Sequence, residues 1–139
     1  MQKIVLDTNI IVSALISNSY PKQILYDIVF ERKVTTCISN EIVEEYIEVL
    51  NREKFERFSN FKNNAEVVIN KLIEISIFYM PIEKITIISD FADNKFLEVA
   101  KESMADYLIT GNYRDFSFDN FENTKIVSPK EFIENFGPL

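Results

Sequence analysis

Short apolar segments that fit β-strands alternate with longer amphipathic segments that fit α-helices along the chain. The strand-like segments are residues 4–6, 34–38, 85–88, 107–110 and 125–127. The helical segments are residues 10–16, 22–32, a helix capped by Ser39 or Asn40, residues 64–78 and 93–104, and a closing helix capped by Ser128. Strands that alternate with helices predict an α/β domain whose mostly parallel sheet is covered on both faces.

The length of the chain fits one domain, and we expect residues 1–139 to form it. Hydrophobic residues make up 47% of the sequence and charged residues 27%, which is typical of a folded globular protein. No apolar stretch is long enough to cross a membrane, and the amino terminus lacks the pattern of a secretory signal. With Cys37 as the lone cysteine, in an apolar segment, these features predict a cytoplasmic protein with a reduced thiol in its core.

Two absences limit the possible chemistry. The sequence contains no histidine, which excludes the commonest general base, the usual zinc ligand and the serine-type triad. It contains only two glycines, Gly111 and Gly137, so a glycine-rich phosphate-binding loop is excluded as well. The net charge of −7 argues against nucleic-acid binding by overall charge, but it leaves local binding or binding through metal ions open. Catalysis would therefore depend on carboxylates, amides, hydroxyls, lysine or arginine.

Several polar residues fall where the strands of such a sheet end, the edge at which α/β sheets bind ligands. Asp7 directly follows the first strand, and Asn112 and Asp115 follow the fourth. Asp93 begins a helix whose amino end lies at the same edge, and Glu45 lies about 9 Å into the helix after the second strand. Three carboxylates at one edge repel each other unless cations neutralise them. Asp7, Glu45 and Asp93 therefore predict a metal site.

Each acid also has a purely structural interpretation. Asp7 would serve equally well as the cap of the helix that follows it, and Asp93 would fit a capping box at the start of its own helix. Periodicity separates Glu45 only weakly from Glu44 as the residue that faces inward. Asp106 begins the fourth strand, near the opposite edge of the sheet, so we interpret it as structural.

Four blocks of sequence resemble the PIN-domain ribonucleases, in the order and spacing of that family. They are VLDTNIIVSAL, SNEIVEEYIEVLNREKF, DNKFLEVAKESMADYLITGNYRDF and IVSPKEF, and together they run nearly end to end. The sequence is most similar to the branch assigned to toxins of bacterial and archaeal toxin–antitoxin systems. The resemblance implies a three-layer α/β/α sandwich with a mostly parallel five-stranded sheet in the order 3-2-1-4-5. It also implies an acidic pocket that binds Mg²⁺ or Mn²⁺, with Asn9 as the usual partner of the first acid.

Carried over by position, the resemblance implies that Asp7, Glu45 and Asp93 ligate the metal. The fourth acid of the family pattern falls on Asn112, whose amide can ligate a metal or hold its water but adds no negative charge. These four residues form the implied catalytic set, and Asp115 is the alternative fourth ligand. Hard oxygen ligands favour Mg²⁺ or Mn²⁺ over zinc, and a metal-activated water would hydrolyse an RNA phosphodiester without histidine.

Basic residues near these acids are candidate contacts for phosphate, although for each of them taken alone a solvated charged surface is the commoner role. The candidates are Arg52, Lys54 and Arg57 beyond the helix of Glu45, and Lys95 and Arg114 nearer the pocket. The resemblance also implies partners: an RNA substrate, a second copy of the chain in a homodimer, and an antitoxin that fills the pocket with a basic side chain. The helices at 22–32 and 64–78 offer apolar surfaces for such contacts.

Three other functions fit part of the pattern. A phosphatase of the haloacid dehalogenase type also ends its first strand on aspartate, but it needs a second acid two residues later, where this chain has Asn9. A receiver domain needs an acidic pair near the first strand and a late lysine at a strand end, and neither is evident. The third is a catalytically weak or inactive PIN scaffold, weakened by Asn112, that acts as a binding or regulatory module.

Overall fold

Strands and helices alternate in the computed structural model, which describes residues 1–85, 91–111 and 120–136, with the backbone alone for residues 91–93. The strands are β1 (Lys3–Leu6), β2 (Thr35–Ile38), β3 (Ile77–Phe78), β4 (Tyr107–Ile109), β5 (Asn120–Phe121) and β6 (Thr124–Val127). The helices are α1 (Thr8–Ile16), α2 (Tyr20–Gln23), α3 (Asn40–Leu50), α4 (Phe61–Ile75), α5 (Phe91–Ser103) and α6 (Pro129–Phe136). α2 continues as a π-helix over Ile24–Val29, and a 3₁₀ turn spans Glu53–Phe55.

The six strands form a sheet in the order β3-β2-β1-β4-β6-β5. All neighbouring pairs are parallel except β5 and β6, which form an antiparallel hairpin. The predicted order 3-2-1-4-5 is confirmed for the parallel strands, and β5 is an additional edge strand that the sequence did not predict. β1 therefore lies in the middle of the sheet, beside β4, with Leu6 paired to Ile109 at the carboxyl ends of both strands.

Helices cover the sheet because each parallel connection must cross over it. The steps from β1 to β2 and from β2 to β3 run in one direction, and the step from β3 to β4 runs back across the sheet. Right-handed crossovers then place α5 on the face opposite to α1, α3 and α4. In agreement, α1 packs against α2, α3 and α4, whereas α5 packs on β1, β2 and β4. The α/β class predicted from the alternation of segments is confirmed.

The central strand is apolar on both faces because helices cover both of them. Ile4 and Val5 of β1 are fully buried, as are Leu108 and Ile109 of the neighbouring β4. Cys37 of β2 is also buried, as predicted, and burial raises the pKa of its thiol. Because β1 lies in the middle of the sheet, Asp7, which follows it, lies at the centre of the edge formed by the carboxyl ends of the strands.

The third strand differs from the prediction. The helix predicted at 64–78 ends at Ile75, before Pro81, and the next residues form β3. Ser76 shares a hydroxyl hydrogen bond with Thr36, and the Tyr79 N–H donates to the Ile38 carbonyl at 2.8 Å. These contacts with β2 turn the chain into the sheet. Of the strand predicted at 85–88, residues 86–88 lie outside the described part of the chain.

Two predicted helix caps are confirmed. Ser39 accepts a hydrogen bond from the Ile42 N–H at 3.2 Å and so starts α3. Ser128 and Glu131 form the capping box of α6, with reciprocal bonds of 3.1 and 3.2 Å. None of the helices in the described ranges is long and apolar enough to cross a membrane.

Candidate functional site

Asp7 occupies the carboxyl end of β1 and is only 5% exposed. It stands at the cap position of α1, but its side chain makes no capping hydrogen bond. The carboxylate instead accepts a hydrogen bond of 2.6 Å from the hydroxyl of Thr110, which follows β4. Burial raises the pKa of Asp7, and the charge of Glu45 raises it further. The Thr110 hydroxyl and the nearby backbone N–H groups of Thr8 and Asn9 act in the opposite direction.

Glu45 reaches the same edge from the second turn of α3. One of its oxygens accepts a hydrogen bond from the Thr8 hydroxyl, and the other lies 2.8 Å from the Lys95 ammonium. Glu44, its neighbour, is exposed. The ambiguity that periodicity left between the two is therefore resolved: Glu45 faces inward, toward the first turn of α1.

Tyr46 anchors α3 at this edge. Its hydroxyl donates to the Leu6 carbonyl at 2.5 Å, one residue before Asp7, and its ring is almost completely buried. Burial is the largest cause of a pKa well above the usual tyrosine value, with the charges of Asp7 and Glu45 adding to it. The hydroxyl therefore keeps its proton and donates the hydrogen bond. This bond fixes the position of Glu45, the residue before Tyr46, relative to the end of β1.

The other predicted site residues are described only in part. Asp93 lies in the first turn of α5, two residues before Lys95, so its backbone is at the same edge, but its side chain is outside the described atoms. Asn112 and Asp115 lie outside the described residues altogether. Within the ranges that are described, no three acidic side chains gather into a group able to hold a metal ion. The structure thus brings two of the predicted residues together, Asp7 and Glu45.

Asp106 lies at the opposite edge of the sheet, as predicted. Its carboxylate accepts a hydrogen bond from the Lys3 backbone N–H at 2.8 Å, and its own N–H donates to the Lys3 carbonyl at 2.8 Å. These bonds join the start of β1 to the start of β4. The acid therefore has a structural role in strand pairing.

Most of the predicted phosphate contacts that are described lie away from Asp7. Arg52 follows the carboxyl end of α3 and pairs with Glu48 at 2.9 Å. Lys54 and Arg57 stand over the rings of Phe55 and Phe58, at 5.2 and 4.9 Å from the ring centroids. Lys95 differs from these three, because it lies inside the site against Glu45. Arg114 is outside the described residues.

The sequence model of the PIN domain matches residues 3–114, which is most of the chain. The chain belongs to the PIN domain family. The match includes β1, α3, α5 and β4, and therefore the edge where Asp7, Glu45 and Asp93 are placed. PIN domains are in general nucleases and generally use divalent metal ions. The chain is also similar to the uncharacterized protein MJ1680 of Methanocaldococcus jannaschii, with 33% identity over 96% of this chain and 91% of that protein.

Two hydroxyl residues at this edge of the PIN domain are not among the residues predicted from the sequence. Thr8 orients Glu45, and Thr110 orients Asp7. Both directly follow the end of a central parallel strand or its terminal acid, so a search for hydroxyls at strand ends would have found them. The pairing of Lys95 with Glu45 had no such signal, because the two residues are 50 positions apart.

Proposed function

We propose that the protein is a metal-dependent endoribonuclease in which Asp7, Glu45 and Asp93 hold Mg²⁺ or Mn²⁺. The observation that carries this proposal is the placement of Asp7 and Glu45, from separate elements, at the carboxyl edge of a PIN-domain sheet. Their carboxylates lie close enough for the charge of Glu45 to raise the pKa of Asp7, so an added positive charge would stabilise both.

The donor set suits a hard divalent cation. The side chains described at this edge offer carboxylate and hydroxyl oxygens, and the chain has no histidine to favour zinc. A bound divalent ion would supply an activated water and charge stabilisation at a phosphodiester. Thr8 and Thr110 each hold one oxygen of these carboxylates, which limits the rotation of the two acids.

A nuclease assay tests the proposal with a control from the same sheet. Labelled single-stranded and hairpin RNAs are incubated with the protein in Mn²⁺, in Mg²⁺ and in chelator. We expect cleavage with metal and none in chelator, and we expect Asp7→Asn to lower the rate at least about 100-fold. Asp106→Asn makes the same chemical change at the opposite edge and should leave the rate nearly unchanged.

Variants of Asn112 provide a second test of the proposal, because its amide gives the metal one negative charge fewer than the acid of the family pattern would. If it limits metal binding, Asn112→Asp should tighten Mn²⁺ binding and raise the cleavage rate. If Asp115 already supplies the fourth ligand, Asn112→Asp should be neutral and Asp115→Asn damaging. No cleavage by the wild type or by Asn112→Asp in saturating Mn²⁺ would refute the nuclease and favour a non-catalytic binding module.

The biological role that we propose is that of the toxin in a toxin–antitoxin pair, in which an antitoxin controls the nuclease. The acidic edge would accept a basic side chain of such a partner as readily as a metal ion. Expression of the wild type should arrest growth of a host cell, and Asp7→Asn should not. Equal growth of both strains at equal protein levels would refute the toxin role without affecting the nuclease assay.

A further inference from the structure

The Lys95–Glu45 ion pair is set apart from the others by its burial. The side chains are 19% and 16% exposed, and the ammonium lies 2.8 Å from the carboxylate oxygen. In every other ion pair between described side chains, at least one partner is more than half exposed. Exposed pairs contribute little because water and salt screen them, whereas a partly buried pair is screened much less. The pair is therefore screened less than the other ion pairs between described side chains.

Both oxygens of Glu45 are already engaged. One accepts from the Thr8 hydroxyl and the other faces the Lys95 ammonium. The Thr8 hydroxyl on one oxygen of Glu45 is compatible with a metal on the other oxygen. A divalent ion that uses Glu45 as a ligand would therefore take the position next to the oxygen that faces Lys95. The ammonium and the dication would then stand side by side with like charge. Lys95 and a metal ion would therefore compete for Glu45.

We propose that Lys95 is the counter-ion of Glu45 in the metal-free protein, and that a divalent cation displaces it toward the phosphate of a bound polynucleotide. The inference rests on the proposed nuclease function and adds a coupling to it. Lys95 is carried on the first turns of the same helix as Asp93 and is mostly buried, so the displaced ammonium remains at the site. A phosphate anion is the partner that would then neutralise it.

This arrangement makes metal and polynucleotide binding cooperative. A phosphate that attracts the ammonium frees Glu45 for the metal, and a metal on Glu45 frees the ammonium for the phosphate. Because linkage is reciprocal, each ligand should raise the affinity for the other by the same factor. Lys95 would thus compete with the metal for Glu45 and, once displaced, contact the phosphate of the substrate.

Mn²⁺ titration by calorimetry, without RNA, tests the competition directly. Lys95→Met removes the competing charge and should bind Mn²⁺ on the order of tenfold more tightly than the wild type. Lys95→Arg keeps the charge and should bind as weakly as the wild type. Lys84→Met is the matched control, since it removes the same charge from an exposed lysine. Lys84 is 67% exposed and pairs with Glu41, which lies on α3 as Glu45 does. Lys84→Met should leave the affinity unchanged.

Thermal unfolding separates this role from a merely structural bridge between α3 and α5. Lys95→Met should lower the melting temperature in chelator, because it leaves Glu45 without its counter-ion, and saturating Mn²⁺ should remove that difference. A structural bridge would instead lower the melting temperature equally with and without metal. Mn²⁺ affinity of Lys95→Met equal to or weaker than that of the wild type would overturn the proposal.

The cooperativity is measured by repeating the titration with a short phosphorothioate RNA as a slowly cleaved probe. The RNA should raise the Mn²⁺ affinity of the wild type and leave that of Lys95→Met nearly unchanged; an equal gain in both would overturn the transfer of Lys95 to phosphate. Tighter Mn²⁺ binding by Lys95→Met without any RNA cleavage would uphold the competition while refuting the nuclease. Absence of Mn²⁺ binding in both proteins would refute both proposals.

Discussion

Asp7 is held between opposing electrostatic effects. Burial and the neighbouring charge of Glu45 disfavour its ionised form, whereas the Thr110 hydroxyl favours it, and the net result is a raised pKa. A carboxylate with a higher pKa in the folded than in the unfolded state binds protons more tightly when folded. Its ionisation therefore costs stability as the pH rises from the unfolded value near ~4 through the raised value. Without metal, the protein carries this cost at neutral pH.

In chelator at pH 7, Asp7→Asn should raise the melting temperature, because the neutral amide can still accept the Thr110 hydrogen bond but carries no buried charge. The gain should shrink as the pH falls toward about 4 and be lost below it, where the wild-type carboxyl is protonated in both states. Asp106→Asn should bring no comparable gain, since that residue is exposed. A wild type more stable than Asp7→Asn throughout this range would contradict the cost assigned to burial.

α3 shows how one element places a functional side chain. Ser39 starts the helix at the carboxyl end of β2, and Tyr46 fixes it to the end of β1 through the Leu6 carbonyl. Between these two attachments the helical rise and rotation leave little freedom for Glu45. The position of Glu45 relative to Asp7 is thus determined by the Ser39 cap and by the hydrogen bond of Tyr46 to Leu6.

Loss of the cap should be measurable as stability. Ser39→Ala leaves the Ile42 N–H without its acceptor in a buried setting and should lower the free energy of unfolding by about 1–2 kcal/mol in urea titrations. Ser17→Ala is the control: the Ser17 hydroxyl donates to the Ser13 carbonyl at an exposed helix end, so its removal should cost less than about 0.5 kcal/mol. Equal losses in the two variants would contradict the role of the cap.

At the scale of the whole molecule, α4 leaves apolar surface uncovered. It buries one face against the core, yet Val67 is 66% and Ile73 38% exposed on its outer side. Exposed apolar side chains on a helix are positions at which a second copy of the chain can pack. We therefore retain the homodimer as a proposal and assign α4 to its interface.

Sedimentation velocity at high micromolar concentration should show a dimer. Val67→Glu should shift the protein toward the monomer, because the dimer would have to bury an unpaired charge. Ile82→Glu places the same charge on a side chain that is 89% exposed and lies outside α4, and it should leave the dimer intact. A strict monomer for the wild type would refute the dimer, and equal dissociation by both variants would refute the interface.

Much of the fold follows from local sequence signals. The run of apolar residues in β1 predicts a strand covered on both faces, and Ser39 and Ser128 predict their helix starts, because these signals act between neighbours in the chain. The hairpin of β5 and β6 was missed, since its two-residue turn, Glu122–Asn123, lacks the glycine that marks such turns. β3 was missed because its apolar residues also continue the periodicity of α4, and only pairing with β2 makes them a strand.

The sequence by itself determined which end of the sheet carries Asp7 and which carries Asp106, because strand direction follows from the order of the segments. Only the tertiary structure decided that Glu45 rather than Glu44 faces Asp7, and that Lys95 neutralises it. The physical reason is distance along the chain. Propensity and periodicity report on residues a few positions apart, whereas the contacts of Glu45 join elements separated by 37 and 50 residues and form only when the sheet assembles.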